Sequence, residues 1–223
     1  MKFYFHRTPN PMKVALALEE FGLDYEVVPV DTFKGEQHTP DFRAINPNGK
    51  LPALQDGDEI VFDSNAILLH LALKHNRFYD PANMAATLSW LMFVATGLSP
   101  YNGQMVHFTK MAPEDLPYAK NRYTFEAKRH HQILDDQLAQ SAYLAGSTYS
   151  VVDMAAWGWL SYAPVYFGEA GLSEYPNVKR LFDEISARPA AARALKLKET
   201  HPTSTDFDEE AKRAMFPSNY VAT

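Results

Sequence analysis

The sequence predicts an α+β domain of roughly eighty residues followed by an all-α helical-bundle domain, and three observations carry that reading. Strand-like and helical stretches follow one another as β-α-β and then β-β-α up to residue 78. After Phe78-Tyr-Asp-Pro81 no convincing strand pattern remains. The chain has 223 residues, 46% hydrophobic and 22% charged, which is ordinary globular usage and enough to bury a core. The expected division is 1–78, a linker at 79–81, and a helical part over 82–223 with an extended tail from about 199.

Each element has a local cause. Lys2 to His6 is short and aromatic-rich, as a strand should be. Thr8-Pro-Asn-Pro11 breaks it, with Asn10 the expected N-cap and Pro11 the first helical residue. Val14, Leu16, Ala17, Leu18 and Phe21 then recur at helical spacing until Gly22 stops the helix. Tyr25 to Val30 is valine-rich and alternating, a second strand. Residues 31–50 are polar and irregular, with a short helix expected at Thr39-Pro40-Asp41. Leu51 to Gln55 and Glu59 to Phe62 are strands joined by the Asp56-Gly57 hairpin signal. Asp63 or Ser64 caps the helix that runs to about His75. Helices are then expected near 82–108, 115–140, 150–164, 175–187 and 189–198. Gly97 and Pro100 should bend the first, and Ser150-Val-Val-Asp153 is a capping-box pattern opening the third.

Composition excludes several function classes. A net charge of −6 argues against a general nucleic-acid partner. With no cysteine there can be no disulfide, thiolate metal site or cysteine nucleophile, so any sulfur chemistry must use sulfur from a ligand. No metal site is expected, because His130 and His131 lack matching ligand spacing. No run approaches the ~18 apolar residues of a membrane span, and the N-terminus reads as a strand rather than a signal peptide; the expectation is a cytoplasmic protein without a membrane partner.

Four places could carry chemistry. Pro52 opens an apparently central strand, where it removes a ladder donor; the alternatives are an edge-strand proline or a cis Leu51–Pro52 bond turning the Leu51 backbone toward a ligand. Ser64 at a helix start would present amides and the positive dipole end to a carboxylate, and Asp63 would suit an ammonium; the alternative is plain capping. Lys50 could take a second carboxylate and Gln37 lies in the same irregular segment, or both are solvated loop residues. Thr8 and Asn10, at the first strand–helix junction, could favour a thiolate placed there, or Asn10 simply caps the helix.

Taken in order, these segments resemble a known family. The first strand, Thr8-Pro-Asn10, Asn46-Pro-Asn-Gly-Lys-Leu-Pro-Ala-Leu54, Asp63-Ser-Asn-Ala-Ile-Leu-Leu-His-Leu71, the Ser150 box, Tyr175-Pro-Asn-Val178 and Ala187-Arg-Pro-Ala190 are similar to a cytosolic glutathione transferase along nearly the whole chain. The resemblance implies a thioredoxin-like first domain, a cis Pro52, and Leu51 pairing with the cysteinyl backbone of glutathione. It implies that Asp63 and Ser64 hold the γ-glutamyl end and Lys50 the glycine carboxylate; Asp63 departs mildly from the family's commoner glutamate or glutamine. Thr8-Pro-Asn10, with Gln37, Asn48 and the stretch Tyr118 to His131, resembles the bacterial Nu class and relatives of the yeast nitrogen-regulation prion protein. That subgroup implies glutathione-dependent disulfide reduction and peroxidase activity, with one or two glutathiones or glutathione disulfide per site. Asn10 would be the key thiolate donor, with Thr8 beside it. A second substrate would lie between domains near Tyr101, Gln104, His107, Phe108 and Tyr166. Arg129 would approach a γ-glutamyl carboxylate across a homodimer; the plainer reading is a solvated basic face Lys128-Arg-His-His131. Conventional conjugation to electrophiles and a non-catalytic binding module on the same fold are the competing functions.

Overall fold

The computed structural model describes residues 1–220. Four strands form one sheet in the order β2-β1-β3-β4: β1 Lys2–Phe5, β2 Glu26–Pro29, β3 Ala53–Asp56 and β4 Glu59–Phe62. β1 pairs parallel with β2, as a crossover through α1 (Pro9–Phe21) requires, and antiparallel with β3. The hairpin β3–β4 closes over Gly57, whose φ of +65° suits the glycine of this turn. Phe3 and Phe5 alternate inward beneath α1 and α3 (Ser64–His75), while Tyr4 faces Phe42 of α2 (Pro40–Ile45), their rings 5.9 Å apart.

The starts of α1 and β3 differ from expectation for local reasons. Helix α1 starts at Pro9, with Thr8 as the extended N-cap, because Pro9 already has the fixed φ of a first helical turn. The Leu51–Pro52 bond is cis, and β3 starts at Ala53 because Pro52 has no N–H for the ladder.

The remaining chain is helical: α4 Met84–Phe93, α5 Ser99–Val106, α6 Pro117–Gln140, α7 Val151–Leu160, α8 Ala163–Phe167, α9 Pro176–Ser186 and α10 Pro189–Thr200. The expected bend near Gly97 and Pro100 takes the form of a π-helical turn at Val94–Leu98, and a second one at His107–Met111 ends α5. Pro81–Met111 reaches a mean hydropathy of 1.2 over an 18-residue window, so by length and composition it could cross a membrane. Its Leu91, Val94, Leu98 and Met105 instead join the protein core.

The Ser150 box forms as its spacing requires. Asp153, fully buried, accepts from Ser150 N and Oγ and from Leu144 N, each at 2.9 Å. α1 packs against α7 and α10, which joins the two parts into one core. Gly158 permits that approach: a Cβ there would stand 2.6 Å from the Pro9 carbonyl oxygen.

Where an extended tail is expected, the chain forms α11 (Glu209–Met215) and a 3-10 turn at Pro217–Tyr220; residues 221–223 of that tail lie outside the described residues. Asp208 caps α11 by accepting from Ala211 N, and Glu209 and Glu210 occupy its first turn, where the dipole favours acids.

Candidate functional site

The site lies where β1 meets α1, the cis-proline loop and the start of α3. The loop is internally braced: Asn46 Nδ2 donates to the Lys50 carbonyl at 2.6 Å, and Asn46 Oδ1 accepts from Asn48 N at 3.0 Å. Gly49 takes φ +61°, and a Cβ there would meet the Gln37 carbonyl oxygen at 3.0 Å. Gln37 is therefore packed on the loop; it is buried, its Nε2 pairs with His38 and its Oε1 has no partner. Asn48 and Lys50 are exposed.

Asp63 is the N-cap of α3, at φ +73°, unusual for a residue with a Cβ and characteristic of a position held by its surroundings. Its Oδ1 accepts from both Asn65 N and Ala66 N, so the two capping bonds fall on one oxygen. Ser64 is buried, with its hydroxyl 3.4 Å from the ammonium of Lys13.

Asn10 does not cap α1; its Oδ1 accepts from the indole Nε1–H of Trp159 at 3.0 Å. An indole nitrogen can only donate, so the amide atom facing it must be oxygen, and Asn10 Nδ2 is turned the other way. Thr8 makes no side-chain capping bond. The preceding turn is fixed by Tyr162, whose hydroxyl donates to the Arg7 carbonyl. Trp159 and Tyr162 come from α7 and its end, about 150 positions along the chain, and no local rule marks either.

The expected second-substrate residues do not all converge. His107 lies close enough to Lys50 that this charge adds to burial in lowering the imidazole pKa. Phe108 stacks on Tyr123 at 5.2 Å, Tyr101 packs on Tyr123 and His130, and Gln104 is exposed on α5. Tyr166 is a core residue: its hydroxyl lies 3.0 Å from the Trp159 carbonyl and 3.2 Å from His131 Nε2. The stretch Lys128-Arg-His-His131 divides: Lys128 and Arg129 are exposed, as a solvated face requires, whereas both histidines are buried with Nδ1 on the carbonyl four residues earlier. Arg129 is held in an ion pair with Glu126 at 2.9 Å.

Asp56, Glu59 and His70 cluster near the β3–β4 hairpin with ligand-type atoms within 4.8 Å of one another. The Lys74 ammonium, 2.5 Å from Asp56 Oδ2, already supplies positive charge there.

The folded-back tail borders the site. Ser204 gives its carbonyl to Arg7 and its N–H and hydroxyl to Asp31, at 3.0 and 2.6 Å for the last two. Phe207 packs on Phe33, and Phe216 on His107, with ring centroids 5.3 and 4.9 Å apart. His6, 3.2 Å from the Thr32 hydroxyl, is buried and lowered from its ordinary value to about 4, chiefly by burial. Between about pH 6.5 and 4 the unfolded chain thus binds more protons than the folded one, and stability falls as pH falls. Hydrogen bonds from Ser204 and Phe33 hold the Asp31 carboxyl low despite burial, which adds to acid lability in the same direction. Denaturant titrations at pH 7 and about pH 4.5 should show His6→Gln losing about 2 kcal/mol less than the parent chain. Equal losses would mean that His6 does not titrate in this window.

The class these elements define is a thioredoxin-like domain with a cis-proline loop, joined to a helical bundle. The family model for the glutathione S-transferase N-terminal domain matches residues 1–73, and that for the C-terminal domain matches residues 104–189. The disulfide-bond oxidoreductase YfcG of Escherichia coli is 41% identical over 201 residues, covering 86% of this chain and 93% of that protein. A crystal structure of a Burkholderia graminis glutathione transferase with two glutathione molecules bound per subunit matches with a TM-score of 0.81 at 33% identity, covering 92% of this chain and 89% of that one. A Phanerochaete chrysosporium glutathione transferase in complex with oxidized glutathione gives 0.84 at 33% identity, covering 89% and 96%. The chain belongs to the glutathione S-transferase family and, within it, is a Nu-class-like enzyme.

Proposed function

We propose that this enzyme is a glutathione-dependent disulfide oxidoreductase and peroxidase, with transferase activity, that works through the thiolate of bound glutathione. The observation that carries the reading is the fixed orientation of Asn10, in the first turn of α1, whose amide N–H₂ is directed away from Trp159. The Leu51 backbone pairs with the cysteinyl residue, Lys50 takes the glycine carboxylate, and Gln37 and Asn48 line that end. Asp63, with one oxygen outside its capping bonds, receives the γ-glutamyl ammonium. Ser64 and the first amides of α3 receive the adjoining carboxylate. Arg129 serves a γ-glutamyl carboxylate, in a homodimer whose contact surface includes exposed apolar side chains such as Phe62, Met92 and Phe125.

The chemistry balances without a protein thiol. Glutathione thiolate attacks one sulfur of a substrate disulfide, the S–S bond breaks, and the second sulfur leaves as thiolate. A second glutathione thiolate attacks the mixed disulfide, releasing glutathione disulfide and the other substrate thiol. With a hydroperoxide, two glutathiones become glutathione disulfide while the O–O bond is reduced to an alcohol and water. His107, Phe108, Tyr101 and Gln104 border the second-substrate side, in the cytoplasm.

The test is turnover of a mixed glutathione disulfide, an organic hydroperoxide and an aryl halide side by side. The reading expects the first to be fastest. Fast aryl conjugation without disulfide reduction would replace it with conventional transfer, and glutathione binding without any turnover would leave a binding module.

A further inference from the structure

Lys13 is a buried cation that takes no part in the reaction proposed above. It sits in the second turn of α1 and is fully buried. Its ammonium donates to Ser99 Oγ at 2.8 Å and approaches Ser64 Oγ at 3.4 Å. Ser99 opens α5 in the helical part and Ser64 opens α3, so the charge is held at the joint between the two. Room for its stem comes from Gly158, where a Cβ would stand 2.5 Å from Lys13 Cγ.

Two hydroxyls can solvate an ammonium but cannot neutralise it. The acidic neighbour acting on Lys13 is Asp63, at the start of α3. Asp63 does not enter the hydrogen bonds of the ammonium; its Oδ1 is engaged by the amides of α3. Burial outweighs the attraction of Asp63 and lowers Lys13 to about 7. Met would fill the same space without any desolvation cost, so a charge kept here needs an anionic partner that arrives from outside. Ser64 provides the path. When its oxygen accepts from Lys13, its own proton is free to point at an acceptor beyond it.

We infer that Lys13 is the buried counter-charge for the γ-glutamyl α-carboxylate of glutathione, a positioning residue that acts through the Ser64 hydroxyl. The inference rests on the glutathione reading above and deepens it. It gives the α-carboxylate three sources of attraction: the α3 amides, the Ser64 hydroxyl and a cation behind it.

The experiment is a cycle between protein and ligand, read by calorimetric titration of the full chain. The ligands are S-methylglutathione, which has no ionisable thiol, and its analogue lacking the γ-glutamyl α-carboxylate. In Lys13→Met, S-methylglutathione should bind about tenfold more weakly or worse, while the affinity of the analogue stays within about twofold. Equal weakening of both ligands, or of neither, overturns the inference. The unmodified protein gives a second measurement that does not depend on the variant folding. Titrations at about pH 7.5 in buffers of different ionisation heat should show fractional proton uptake with S-methylglutathione and none with the analogue, because the arriving carboxylate favours the ammonium. Tight binding with no uptake overturns the role of Lys13 and leaves the glutathione site intact. Failure of S-methylglutathione to bind the unmodified protein overturns both.

Discussion

Asn10→Ala is expected to lower kcat for disulfide reduction about 100-fold while changing glutathione affinity no more than about threefold. The asymmetry follows from what the amide would do. A donor aimed at sulfur interacts weakly with a neutral thiol and strongly with a thiolate, so its removal raises the barrier more than it weakens the bound ground state. Lowering a thiol from ~8.5 by two units takes about 2.7 kcal/mol of preferential stabilisation, a size that one amide donor and the α1 N-terminus together can approach. Trp159→Phe separates orientation from presence. It keeps the aromatic packing but removes the Nε1–H that fixes Asn10 Oδ1, so the amide can rotate its oxygen toward the sulfur. About a tenfold loss of kcat is expected, together with a raised thiol pKa for bound glutathione, read as thiolate absorbance against pH. Wild-type thiolate titration in Trp159→Phe would show that the indole merely packs. Unchanged kcat in Asn10→Ala would move thiol activation to Thr8 or to the backbone.

What the sequence made legible was local. The hairpin at Asp56-Gly57, the capping box at Ser150, the short helix after Thr39 and the stop at Gly22 each depend on residues within a few positions of one another. The Asp63-Ser64 helix start belongs with them, because a cap is a property of the next three residues. The site was only half visible by that route. Thr8, Asn10, Pro52 and Ser64 stand at element boundaries, where unusual residues attract notice. Trp159 and Lys13 sit inside strongly apolar helical patterns, where an indole reads as core and a lysine as an exposed turn. Their roles arise only when α7 and α5 are laid against α1, through contacts spanning 149 and 86 residues. Tyr166 shows the converse. Its aromatic character and position after a helix suggested a wall between the domains; its hydroxyl is engaged by the Trp159 carbonyl, and the cavity it borders, with Met105, Thr124 and Phe167, lies within the helical part. The tail was legible in part: the chain is irregular from Pro202 to Asp208, as a polar, proline-bearing composition argues, but Asp208 and Glu209-Glu210 then start a short helix, and Phe207 just before it packs on Phe33.

Asp153→Ala should destabilise the protein by about 4 kcal/mol, more than any site substitution considered above. Its carboxylate receives Ser150 N–H, Ser150 O–H and Leu144 N–H in full burial. Truncation leaves two backbone donors without acceptors in a region water does not reach, each costing about 1–3 kcal/mol, and removes the reciprocal half of the α7 capping box, leaving Ser150 as the N-cap. The consequence extends beyond α7, because that helix carries Trp159 to Asn10 and Gly158 to the α1 interface. Asp153→Asn tests the geometry. One amide oxygen can replace one carboxylate oxygen, but the N–H₂ must then face another donor, so this variant should recover roughly half of the loss. Burial pushes the Asp153 carboxyl up to about 6, above its ordinary value of 3.8, so the folded state binds more protons than the unfolded state between those values. The stability difference between wild type and Asp153→Ala should therefore widen as pH falls from about 6 toward 4, read from denaturant midpoints at each pH. A gap that stayed constant across that range would mean that the carboxyl keeps its unfolded-state pKa, with the three donors offsetting the cost of its burial.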